Sequence, residues 1–114
     1  MARQIEVELD IFSGRPNPSW RLSAENATLF EQKLAALPAA ETGRIANPLG
    51  YRGFIVKSGD MTVKVQNGTV QVVRAESATY HQDPGRALER WLLSTGKPFV
   101  DEETFKLAER ELSG

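Results

Sequence analysis

The chain contains no cysteine, and His81 is its single histidine among 114 residues. Without cysteine there is no thiol nucleophile, no disulfide framework and no zinc site built on thiolates. With one histidine, a zinc or copper site would have to draw its other ligands from carboxylates. No metal and no cofactor is therefore expected. Long apolar runs are missing too. Nothing approaches the roughly 20 residues of a membrane span, and residues 1–8 lack the apolar core of a secretory signal. No membrane partner and a cytoplasmic location are the expectations. A strong charge of either sign is also lacking. The formal net charge is −1 and the pI about 5.8, so no global field draws in nucleic acid.

What is present is ordinary for a globular domain: 40% hydrophobic and 25% charged residues. The length predicts one domain over residues 1–114, able to bury a core unaided. Ile5, Val7, Leu9 and Ile11 alternate with Glu6, Glu8 and Asp10, the pattern of a strand with one apolar and one acidic face. Ser19 to Leu22 is a candidate second strand. Ser23 is a good N-cap, and Ala27, Phe30, Leu34 and Leu37 mark the apolar stripe of a helix over 24–37. Residues 38–53 form a long irregular stretch, of the kind that is often functional.

Phe54 to Lys57 is strand-prone, and Gly59-Asp60 offers a turn. Two further strands, 61–66 and 69–74, flank Asn67-Gly68, which supplies the two positive φ values of a type I′ hairpin. Asp83-Pro84 opens a second helix with Ala87, Leu88, Trp91 and Leu92 on its buried stripe, and Gly96 stops it. Asp101 caps a third, with Val100 and Phe105 at staple positions. The expected order is β-(β)-α-loop-β-β-β-α-α. The expected fold is α+β: a single two-layer domain, a mainly antiparallel sheet with three helices packed on one face.

No catalytic signature is found. Ser13 and Ser19 lie outside any Gly-x-Ser-x-Gly elbow. Gly14 alone makes no phosphate loop. Glu102 and Glu103 serve the dipole of the third helix. His81 is placed in an exposed loop before the second helix, with Asp83 as that helix's cap. Charge is uneven along the chain. Arg44, Arg52, Lys57, Lys64 and Arg74 stand against only Asp60 in residues 43–75, while the segment after it is acidic. A solvated sheet face offset by acidic helices accounts for this, and no nucleic-acid site is expected.

Core packing explains residues 10–20 least. Ser13 to Pro18 is a stiff turn cluster, because Pro16 and Pro18 fix φ and restrict the residue before each. Arg15, Asn17 and Trp20, with Tyr51 and Arg52 from a second glycine-rich loop, are the candidate ligand- or partner-binding residues, being mostly types enriched at binding hot spots. If the loops meet, two guanidinium groups would suit a carboxylate, a phosphate or an acidic peptide. The structural alternative buries Trp20 and pairs Arg15 with Asp10 or with loop carbonyls.

The segments F-S-G-R-P-N-P-S-W at 12–20 and L-G-Y-R-G-F-I-V at 49–56 resemble a family of small, mostly bacterial proteins of uncharacterised function. The resemblance implies that both loops belong to one shared design, and it brings no activity with it. The sequence points first to a non-enzymatic binding module that uses loops 13–20 and 47–54 for an anionic small ligand or a protein partner. The alternatives are a small enzyme in the same crevice, using Arg15, Tyr51, Arg52 and His81 or Asp10, and a structural subunit that associates through a strand edge.

Overall fold

The computed structural model describes residues 4–43, 45 and 50–113. The expectations for residues 1–3, Arg44 and 47–49 lie outside the described residues. The elements run β1 (Ile5–Leu9), β2 (Ser19–Arg21), α1 (Ala24–Ala35), β3 (Ala39–Ala40), β4 (Phe54–Ser58), β5 (Met61–Gln66), β6 (Thr69–Arg74) and β7 (Ser77–Gln82). A 3₁₀ turn at Pro84–Arg86 leads into α2 (Ala87–Thr95), and α3 (Glu102–Ser113) follows.

The strands form one seven-stranded antiparallel sheet in the order β2-β1-β4-β5-β6-β7-β3. This is the α+β arrangement of a mainly antiparallel sheet and three helices. Two strands, β3 and β7, join those expected from sequence. Two-residue turns link β4 through β7. Asn67 and Gly68 have φ of 50° and 85°, as a type I′ turn requires.

Register explains where the core sits. Val7, Val56, Val63 and Val72 lie side by side across β1, β4, β5 and β6, with Leu9, Phe54, Val65 and Val70 in the neighbouring row. All eight are buried, and they form one cluster with Trp20, Phe30, Leu88, Leu92, Ala108 and Leu112. Period-two patterning aims every second side chain at the helices. Full burial of Phe30, at 0% exposure, contributes roughly 1.5–3 kcal/mol. Ser23 caps α1 by accepting from the Asn26 N–H, and α1 ends at Ala35, two residues short of the expected limit.

The second helix starts differently from the sequence expectation. Asp83 is buried, and its carboxylate accepts from the Leu88 and Glu89 N–H groups. Between cap and helix lie Gly85 at φ 64° and Arg86 at φ 56°. Ala87 is exposed, and the buried residues are Leu88, Glu89, Leu92 and Leu93. His81 is also placed differently. It is half-buried within β7 on the core-facing row beside Val70, not in a loop. Asp101 does cap α3, accepting from the Thr104 N–H and hydroxyl.

Candidate functional site

The two loops meet at the end of β1. The Arg52 N–H donates to the Asp10 carbonyl, and the Asp10 N–H donates to the Gly53 carbonyl. Gly53 sits at φ +88°, and a Cβ there would lie 2.1 Å from the Val65 carbonyl oxygen. Only glycine fits this close passage.

Arg52 then reaches across. Its Nε and Nη2 donate to Asp10 Oδ1 at 3.1 and 2.9 Å. Nη2 also donates to the Phe12 carbonyl at 2.7 Å, and Nη1 to the Ser13 hydroxyl at 3.2 Å. Asn17 completes the lattice from the other side. Its carbonyl oxygen accepts from the Ile11 and Phe12 N–H groups, and its amide donates to Glu8 and Asp10. The Gln66 amide donates to the Arg52 carbonyl. Asp10 therefore pairs with Arg52, not with Arg15. The Arg52 and Asp10 side chains are 12% and 20% exposed, dry enough for a charged hydrogen bond to outweigh a surface ion pair.

Arg15 stands outside this lattice. It is exposed, and its guanidinium lies 3.8 Å from the centroid of the Phe12 ring. That contact orients the cation without neutralising it. Arg15 helps hold the Asp101 carboxyl below the usual carboxylate range, after the larger effect of the Thr104 hydrogen bonds. Beside Arg52 a polar cleft of about 360 Å³ opens, lined by Asp10, Ile45, Arg52, Ile55, Lys64 and Gln66. Lys64 is exposed there.

The other two candidates point inward. Trp20 is buried, its indole N–H donates to the Thr95 hydroxyl at 2.9 Å, and its ring meets Phe54 edge-on. The ring presses on Gly96, where a Cβ would sit 2.5 Å from it. Trp20 thus wedges the end of α2 against the sheet. Tyr51 donates its hydroxyl to Glu89. Arg86 donates through Nε and Nη2 to both oxygens of the same carboxylate, at 3.1 and 2.9 Å, and through Nη1 to the Glu111 carbonyl near the end of α3. Burial first, then the Glu89 charge, push the Tyr51 hydroxyl above its ordinary range, so it stays protonated and a donor.

Glu89 and Arg86 were not candidates from sequence. A glutamate in a helix beside basic residues reads as solvated, yet Glu89 is fully buried. The usable signal was Gly85, which takes φ 64° itself and breaks the chain just before Arg86, whose side chain turns back on Glu89. Among the described residues no group of three or more His, Asp or Glu side chains is placed to hold a metal ion. No described helix is long and apolar enough to cross a membrane.

No family model matches the chain, and neither a curated protein nor a solved structure does.

Proposed function

We propose that the chain is a small non-enzymatic binding module, and that the corner of residues 13–20 and 50–54 takes an anionic small ligand or an acidic segment of a protein partner. The observation that supports this is the division of labour between two arginines. Arg52 fastens both loops, and so preorganises the corner. Arg15 is left exposed on a proline-stiffened turn, stacked on Phe12. Rigid presentation lowers the ordering cost of binding. Lys64 is a separate exposed cation, in the cleft beside Arg52 that Arg15 does not line.

Catalysis is the weaker reading. The most perturbed hydroxyl, Tyr51, is turned to a carboxylate with no exposed surface, where no substrate reaches it.

The test is calorimetric titration of the intact chain with an oligoglutamate peptide and with inorganic phosphate. Binding of either, weakened at least tenfold by Arg15→Ala or Lys64→Ala with the melting temperature held, supports the corner. Binding that ignores both substitutions, or no binding at low ionic strength, overturns it.

A further inference from the structure

A second site lies at the opposite end of the sheet, and it rests on none of the corner's residues. In two rows that cross the core face, apolar side chains run from β1 to β6 and turn polar at β7; a third, from Ile5 through Ser58 and Met61, is already charged at Arg74 on β6. Val72 is followed by Thr79, Val70 by His81, and Met61 by Arg74 and then Ser77. Between this polar end and α1 is a cavity of about 530 Å³. Its apolar lining comes from Leu34 of α1 with Met61 and Val72 of the sheet. Its polar wall comes from Arg74, Ser77, Thr79 and His81.

These polar groups are not used up by the fold. Arg74 donates to the Met61 thioether at 3.2 Å, a weak acceptor for a guanidinium, and has no acidic partner among the described residues. His81 Nε2 lies 3.3 Å from the Thr79 hydroxyl, and its Nδ1 is buried with no hydrogen-bond partner. Buried polar atoms of folded proteins are nearly always paired, and an exception calls for an explanation. Glu31 also lines the cavity, from α1, and has an interaction of its own.

We infer that this cavity binds a small amphipathic carboxylate, its apolar body against Leu34, Met61 and Val72 and its head on Arg74 and the Ser77, Thr79 and His81 wall. An apolar pocket with a few convergent polar groups is the general form of a small-molecule site. A guanidinium with open donors is the group that grips a carboxylate through paired hydrogen bonds. A neutral head would forgo the charge-assisted part of that grip. A short acid would leave the apolar lining wet.

His81 is the chain's only histidine, so its imidazole proton resonances report on the cavity without ambiguity. The experiment follows them while the intact chain is titrated with sodium octanoate, 1-octanol and sodium acetate. Saturable shifts are expected with octanoate, and affinities at least tenfold weaker for octanol and for acetate. Arg74→Gln, at an exposed position that keeps the fold, should weaken octanoate about tenfold, the worth of one charged hydrogen bond. Arg15→Ala, at the other end, should leave octanoate binding unchanged. Resonances that stay still up to about 10 mM octanoate, where even a millimolar Kd would saturate, overturn the inference. So does equal binding of octanol or acetate, or an Arg74→Gln chain that binds octanoate as well as the parent.

Discussion

The two ends of the sheet handle their polar side chains in opposite ways. At the β1–β4 end, Asp10, Asn17 and Arg52 satisfy one another and the loop backbone. At the β7 end, Arg74 meets a thioether and one nitrogen of His81 meets nothing. The first is a lattice that holds loops. The second leaves polar side chains beside a cavity with weak partners or none. The difference shows why a charged residue near a crevice is poor evidence of binding until its partners are counted. Arg52 carries the fold of its corner, and Arg15, three residues from the turn's beginning at Phe12, does not.

Substitutions can break this comparison, and the largest effect is expected away from both ends. Glu89→Ala leaves Arg86 and Tyr51 facing each other without the carboxylate that joins them. It should cost about 3–5 kcal/mol in urea unfolding, as for other broken buried pairs. Next comes the lattice. Arg52→Ala should cost about 2–3 kcal/mol, because several hydrogen bonds to charged or backbone groups go at once. Arg15→Ala and Arg74→Ala, at exposed cations, should each stay within about 0.5 kcal/mol of the parent. If Arg52→Ala is as silent as Arg15→Ala, the contrast between lattice and rim fails.

Tyr51→Phe sharpens the same point at smaller cost, about 1–2 kcal/mol for one hydrogen bond to a charged acceptor. It also predicts a pH dependence. The folded chain holds the Tyr51 proton more tightly than the unfolded chain does. The stabilisation is therefore complete below the ordinary tyrosine range near pH 10, and is lost as pH rises above it. Urea midpoints should fall above about pH 10 in the parent, and fall less in Tyr51→Phe. A small gain is expected at the β6–β7 turn. Ala75 has φ 50°, so Ala75→Gly should raise stability by about 0.5–1 kcal/mol by relieving left-handed strain. An unchanged melting temperature would show that the turn is relaxed as it stands.

The sheet's apolar centre was legible because β1 and the hairpin around Asn67-Gly68 follow the simple period-two rule, and both turn residues demand positive φ. The capped starts of α1 and α3 were legible from Ser23 and Asp101. Strand β7 was not. Its residues, Ser77 to Gln82, have no apolar face and none is fully buried, and Ala75-Glu76 carries no turn signal. Strand β3 is two alanines paired to β7. At the loops, the kinds of residue were visible but their partners were not. Asp10 could be matched to Arg15 or to Arg52 by charge alone, and only the backbone pairing of residues 10 and 52–53 decides for Arg52. Glu89 was hidden for a related reason: burial of a glutamate depends on Tyr51 and Arg86, which arrive from other parts of the chain.

The contrast between the ends is tested most directly by the exchange of the arginine Nε protons with solvent, read from a ¹H–¹⁵N spectrum. Arg52 should exchange slowly, held by Asp10, and Arg15 and Arg74 fast. An Arg52 proton that exchanges as fast as that of Arg15 would contradict the lattice, and with it the preorganised corner on which the proposed binding depends.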